Sequence, residues 1–235
     1  MRTELSIVAE PGRLARIDAV GGLAGRHTGT DTVHLIGTAA TPLGGDELDI
    51  RVVVRPGARL VVRSVAATIA LPSAETPKSL AHWYFEVGAD AELDFDPEPT
   101  IVAGGAWHHA TTTVRLAPDA RLRLRERIQL GRSGEDTGGW RGDLSADVGE
   151  IPLLRHRLDL GAGTTADDRL SAPRALDSEV VYPDDRPAWS DSLDAARLPL
   201  AAGGSLTTRT STRLHTEVSA GASAAWIAAE RAAPW

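Results

Sequence analysis

The chain has 235 residues, 42% of them hydrophobic and 24% charged, so it is long enough to bury a core and too apolar to be disordered. Its net charge of −7 argues against nucleic acid as the main partner, and the absence of cysteine excludes disulfides, thiolate metal sites and a cysteine nucleophile. The beginning of the chain holds no apolar segment of signal-peptide length, and no apolar run approaches the ~20 residues of a membrane-spanning helix, so the cytoplasm is the expected location.

Alternating apolar and polar residues predict short β-strands along most of the chain, because the side chains of a strand point alternately to its two faces. The predicted strands are residues 5–9, 32–36, 48–55, 58–65, 83–87, 91–96, 111–116, 120–130, 153–160 and 205–218. A short helix is expected near 79–83, a mobile loop over 133–149, and little regular structure over 161–190. Residues 223–233 are expected to form a short helix or a final strand.

Three of these strands align without gaps as an internal repeat, over residues 58–64, 91–97 and 120–126. The alignment places Leu60, Leu93 and Leu122 on the inward face, with Arg59, Glu92 and Arg121 on the outward face. If the units lie side by side, opposite charges on neighbouring strands attract by a few tenths to about 1 kcal/mol. The sequence therefore predicts one all-β domain over 1–235. Its expected architecture is stacked antiparallel strand–turn–strand units, an irregular β-solenoid or sandwich, with one or two short helices.

Strand 120–130 carries one residue that breaks its pattern. Glu126 falls on the apolar face, where an unpaired charge is costly. The repeat places Ser64 and Pro97 at the same level, so the Ser64 hydroxyl is expected to face this carboxylate. Two interpretations stay open: a tolerated irregularity near a strand end, or an internal carboxylate kept for a function.

No enzyme signature appears in the sequence. His108 and His109 are interpreted as surface histidines, because adjacent residues of a strand face opposite sides and cannot easily bind one ion. The other histidines are isolated and show no ligand spacing. Asp46 follows a Gly-Gly pair and is interpreted either as a turn residue or as a carboxylate that faces a channel.

Several short motifs follow one another between residues 35 and 160. They are Gly44-Gly45-Asp46-Glu47-Leu48, Pro56-Gly57-Ala58, Ala66-Ala67-Thr68, Asp96-Pro97-Glu98-Pro99-Thr100-Ile101, Leu116-Ala117-Pro118, Leu130-Gly131-Arg132 with Gly134-Glu135, and Pro152-Leu153-Leu154. In this order they resemble the urease accessory protein family UreD, also called UreH. The sequence departs from the family pattern at Ile69, where the family usually has lysine, and in its shorter glycine-rich stretch before Asp46.

The resemblance implies a non-enzymatic assembly factor with an all-β scaffold. Such proteins bind apo-urease and recruit UreF, which carries the GTPase UreG, and nickel passes through the UreD-like subunit towards the urease active site. The family positions associated with this passage correspond to Asp46, Ser64, Thr68 and Glu126. Their oxygen ligands bind nickel weakly, which suits an ion in transit rather than a tightly bound cofactor. The structural positions of the family motif correspond to Gly44, Gly45, Pro56, Gly57, Pro99, Gly131 and Arg132.

Three other interpretations are compatible with a stacked β-structure. A β-solenoid that binds carbohydrate or protein, with no metal role, predicts an exposed row of aromatic residues. A β-helix enzyme would use paired acids such as Glu92 with Asp94 or Asp96, although ion pairing with the arginine rows explains these acids better. A scaffold for another metal centre, such as an iron–sulfur assembly protein, is disfavoured by the absence of cysteine.

Overall fold

The computed structural model describes residues 1–214. Its strands are β1 Arg2–Ala9, β2 Arg16–Val20, β3 Leu23–His27, β4 Thr32–Gly37, β5 Glu47–Val54, β6 Arg59–Ser64, β7 Thr68–Ala70, β8 Lys78–Val87, β9 Glu92–Phe95, β10 Thr100–Val102, β11 Trp107–Leu116, β12 Arg121–Leu130, β13 Gly139–Val148, β14 Ile151–Leu160, β15 Ala175–Tyr182, β16 Trp189–Ser192, β17 Ala195–Leu200 and β18 Gly204–Ser211. The helix α1, Thr165–Arg169, lies between β14 and β15. None of the described helical residues belongs to a helix long and apolar enough to cross a membrane.

The strands form two sheets that pack face to face. The seven-stranded sheet has the order β14-β13-β11-β8-β5-β1-β2, and the eleven-stranded sheet has the order β16-β17-β18-β15-β12-β9-β6-β4-β3, with β10 and β7 continuing from β12. Phe85 of the first sheet meets Phe95 of the second, with ring centroids 4.9 Å apart. The prediction of an all-β, solenoid-like fold is confirmed. A single domain over 1–235 stays a prediction.

The internal repeat is confirmed by the strand register. Leu93 of β9 pairs with Leu60 of β6 on one side and with Leu122 of β12 on the other, as the alignment predicts. Within each unit the chain turns from a strand of the seven-stranded sheet into a strand of the eleven-stranded sheet. Successive units therefore pair in parallel: β8 pairs with β5 and β11, and β9 pairs with β6 and β12. The two strands of a unit face each other across the core.

The outward arginine row of β12 is held in a network of ion pairs. The Arg123 guanidinium lies 3.1 Å from Asp94, 3.2 Å from Asp96 and 2.8 Å from Glu179. Arg125 binds Asp177 at 2.6 Å. The network confirms the alternation of charge across neighbouring strands, and it holds Asp94 and Asp96 in ion pairs with arginines.

Three predictions of local structure are wrong. The expected helix near 79–83 is part of β8, because Ser79, Ala81 and Trp83 continue the inward row of that strand. The expected loop over 133–149 is irregular only at its start and becomes β13, which pairs with β11 along its whole length. The weakly structured stretch over 161–190 contains α1 and the largely buried strand β15.

Two predictions concern the last part of the chain, and only the first of them falls largely on described residues. The strand predicted over 205–218 is observed as β18, Gly204–Ser211. The helix or strand expected over 223–233 lies outside the described residues.

Candidate functional site

The hydrophobic core is divided into a larger and a smaller apolar cluster. On β12, Leu124 belongs to the larger cluster, whereas Ile128 belongs to the smaller one. Glu126 lies between them on the same inward face of the strand. The residue that breaks the sequence pattern therefore marks a boundary inside the core.

The neighbouring strand β15 repeats this arrangement. Val180 belongs to the larger cluster and Leu176 to the smaller one, with Ser178 between them. Ser178 is the direct register partner of Glu126. A polar level thus continues from strand to strand across the inner face of the eleven-stranded sheet.

A cavity of about 490 Å³ lies between the sheets at this level. Its lining runs from Leu23 of β3 to His156 of β14, so the cavity extends across the strands of the sandwich. Ala39, Val65 and Ala67 line it as well and are exposed at the surface. The cavity therefore has a mouth at the loops around β6 and β7, and we call this opening the β6–β7 mouth.

Glu126 presents an unpartnered carboxylate to the cavity. Among residues 1–214 it has no hydrogen-bond or ion-pair partner, and its side chain is half-buried and lines the cavity. Burial raises the pKa of Glu126 from an ordinary 4.5 to about 7. The carboxyl group therefore exchanges readily between its neutral and ionised forms near neutral pH.

Ser64 and Thr68 line the same cavity. The expected contact between Ser64 and Glu126 is wrong, because the Ser64 hydroxyl is engaged within its own loop. It donates to the Ala66 carbonyl at 3.0 Å and accepts from the Glu98 backbone N–H at 2.9 Å. Ser64 thus holds the shape of the β6–β7 mouth.

Asp46 does not line the cavity. Its buried carboxylate accepts from the Thr41 hydroxyl at 2.8 Å and from the Leu43 backbone N–H at 2.9 Å, and it pairs with the Met1 ammonium. Burial by itself would raise the pKa of Asp46, but the hydrogen bonds from Leu43, Met1 and Thr41 lower it below its ordinary value. The turn interpretation describes this position, and three of the four predicted passage residues share the cavity.

The structural motif positions lie at turns next to these strands. Pro56 and Gly57 join β5 to β6, Pro99 precedes β10, and Arg132 follows β12 and pairs with Glu135. Gly44 admits no side chain, because a Cβ atom there would lie 1.8 Å from the Thr76 carbonyl oxygen.

Two histidines face the cavity, and one of them was misinterpreted from the sequence. His108 is not a surface residue: it is 5% exposed, and its Nδ1 lies 2.9 Å from the Ser79 hydroxyl. His109 faces outward instead and contacts Asp143 at 2.8 Å, so the expectation that the two rings face opposite sides is confirmed. His156 lines the cavity from the edge strand β14.

Burial keeps both cavity imidazoles neutral at neutral pH. It lowers the pKa of His108 to about 4, with a smaller contribution from the neighbouring His109. It also lowers the pKa of His156. The sequence signal for His108 was its position in β11, since it shares the inward parity of Ala110, Val114 and Leu116.

A second group of titratable side chains lies on the outer face of the seven-stranded sheet. One ligand atom from each of Glu47, Asp49 and His82 lies within 4.8 Å of the others. These side chains already form contacts, because Arg2 lies 3.0 Å from Asp49 and His82 lies 3.6 Å from Glu47. The arrangement is that of partly exposed cross-strand ion pairs.

The carbohydrate-binding interpretation finds no support in the described part of the chain. No tryptophan, tyrosine or phenylalanine within residues 1–214 is exposed. The row of exposed aromatic rings that such a function predicts is therefore absent from these residues.

Residues 23–224 match the family model described as UreD urease accessory protein. The urease accessory protein UreD of Frankia alni is 44% identical over 203 residues, which cover 75% of this chain and 67% of that protein. The UreD of Frankia casuarinae is 42% identical, covering 77% of this chain and 62% of that protein. UreD 1 of Saccharopolyspora erythraea is 40% identical, and the match covers 80% of this chain and 74% of that protein. The matches thus span about two thirds of the length of these relatives, and the chain belongs to the UreD family of urease accessory proteins.

Proposed function

We propose that this chain is a non-enzymatic urease maturation factor that binds apo-urease, recruits UreF and through it the GTPase UreG, and passes nickel through its internal cavity. Membership of the UreD family supports the accessory role. The cavity supports the nickel route, because it crosses the sandwich, opens at the β6–β7 mouth and is lined by the oxygen-bearing side chains of Ser64, Thr68 and Glu126. Asp46 would act from outside the cavity by fixing the turn that leads into β5.

The unpartnered carboxylate of Glu126 is the observation that carries this proposal. Removing a carboxyl group from water without a partner destabilises the fold, and such groups cluster at functional sites. A divalent cation in the cavity would supply the missing partner. Because the pKa of Glu126 is about 7, the carboxyl group is about half ionised at neutral pH, and a bound ion competes with a proton for the same oxygen atoms. Weak, reversible binding is what transport requires.

The proposal is tested by narrowing the β6–β7 mouth without disturbing the core. Ala67 is exposed and lines the cavity, so Ala67→Trp places a large ring at the opening. The variant and the wild type are each co-produced with apo-urease and the other accessory proteins. We expect the variant to copurify with them as the wild type does, while the nickel content of the urease falls several-fold. Unchanged nickel content in an intact complex would refute a route through this mouth, and failure of the wild type to copurify with urease would refute the accessory role.

A further inference from the structure

We propose that His108 and His156 supply imidazole nitrogen ligands to nickel at two separate stations in the cavity, so that the ion passes between nitrogen and oxygen donors. This inference rests on the proposed function and extends it to residues outside the oxygen-donor set. Both rings line the cavity that Glu126 faces.

A hydrogen bond fixes the ring of His108 in an orientation suited to metal binding. Its Nδ1 is held by the Ser79 hydroxyl at 2.9 Å, and Ser79 is its register partner on the adjacent strand β8. Ligating histidines commonly bind a second group through the nitrogen that does not hold the metal, which fixes the tautomer and the ring plane. Among residues 1–214, Nε2 has no hydrogen-bond partner and is not fully buried. That nitrogen is therefore available to an ion in the cavity.

His156 is unpartnered at both ring nitrogens within the described residues. It pairs with Leu144 of β13, which pairs in turn with Thr112 of β11. His156 is therefore level with a residue four positions along β11 from His108. At ~3.3 Å per residue and ~4.8 Å per strand, the backbones of the two histidines lie about 16 Å apart, too far to bind one ion together. They form two stations.

The protonation states of these groups favour nickel binding. Neutral imidazole is a good ligand for nickel, and both rings stay neutral at pH 7 because burial lowers their pKa values. Neither ring adds a positive charge that would repel the ion. Glu126 adds a carboxylate to these uncharged nitrogen donors. The cavity lining also includes the charged residues Glu98, Asp143, Arg125, Arg127 and Arg132.

The test measures the ligands of nickel directly. The purified full chain receives two equivalents of Ni²⁺, one for each proposed station, and X-ray absorption is recorded at the nickel edge. His82 and His215 are first replaced by glutamine, since His82 belongs to the outer-face group and His215 lies outside the described residues. In this background we expect imidazole scattering that falls by about half in His156→Gln or His108→Asn and disappears when both are changed.

His109→Gln is the matched control, because it removes the neighbouring ring that faces outward; we expect it to leave the spectrum unchanged. His156 lies on an edge strand, where a substitution disturbs the fold less. The His156→Gln variant therefore still tests the proposal if the buried His108 variant fails to fold. A spectrum that shows only oxygen ligands, and that changes only in Glu126→Gln, would overturn the imidazole stations. It would leave the proposed nickel passage intact. Nickel coordination that none of these substitutions changes would overturn both.

Discussion

Replacing Glu126 with glutamine stabilises the protein above neutral pH, although it alters a residue assigned to the passage. The carboxyl group has a pKa of about 7 in the folded protein and 4.5 as its ordinary value. Between these values the folded state holds a proton that the unfolded state has released. The wild type therefore loses stability as the pH rises through this window, whereas the variant lacks the ionisable group.

The magnitude follows from the width of the window. Each pKa unit corresponds to about 1.4 kcal/mol, so the cost of ionising Glu126 in the folded protein reaches about 3 kcal/mol above pH 7. It is about 2 kcal/mol at pH 6 and about 1 kcal/mol at pH 5, and it vanishes when both states are protonated. Glu126→Gln is expected to exceed the wild type in unfolding free energy by these amounts.

Urea unfolding at pH 5, 6, 7 and 8 measures this difference. Glu150→Gln is the control, because Glu150 is exposed in the turn between β13 and β14; its difference from the wild type should stay near zero throughout. A Glu126→Gln difference that does not grow with pH would refute the account of an unpartnered, buried carboxylate.

Three further substitutions test other parts of the structure by urea unfolding. Arg123→Met leaves three acids without their shared cation and should lower the unfolding free energy by about 3 kcal/mol. Arg51→Met removes one partner of an exposed ion pair and should lower it by less than about 1 kcal/mol. Equal losses of unfolding free energy would contradict the role of the network. Gly131→Ala should cost about 1–3 kcal/mol, because φ is +76° and a Cβ atom would lie 2.6 Å from the Glu135 carbonyl oxygen; a neutral result would contradict this geometry. His108 has a folded pKa of about 4 against 6.5, so it contributes about 3 kcal/mol above pH 6.5 that is lost as the pH falls through 4. His108→Asn should lack this loss on acidification, and an unchanged pH profile would contradict the burial of the ring.

The stacked fold was predictable because each repeat is a short segment whose pattern of inward and outward residues can be recognised in the sequence. The alignment of 60, 93 and 122 fixes both the inward face and the register, since a shift of one residue would turn every leucine outward. The helix expected near 79–83 failed because β8 is covered by neighbouring strands that the local sequence does not reveal. Strands β13 and β15 were missed because glycines and acids along them resemble a loop until their pairing partners are known.

The site was only partly predictable for a related reason. Glu126 violated the pattern of its own strand, so one strand sufficed to identify it. His108 and His156 violate nothing strongly, and they become cavity residues only when β11 and β14 are placed opposite β12 across the core. Asp46 shows the opposite case, since its motif suggested a channel and its hydrogen bonds assign it to a turn.

Nickel transfer in the Glu126→Gln variant tests the central claim most directly. Because the variant is expected to be at least as stable as the wild type at neutral pH, a defect would not arise from misfolding. Urease is co-produced with the wild type, with Glu126→Gln and with Glu150→Gln, and nickel per active site is measured in the purified enzyme. The passage predicts a several-fold fall for Glu126→Gln alone, with the accessory complex intact. Full nickel content in the urease matured by Glu126→Gln would contradict it.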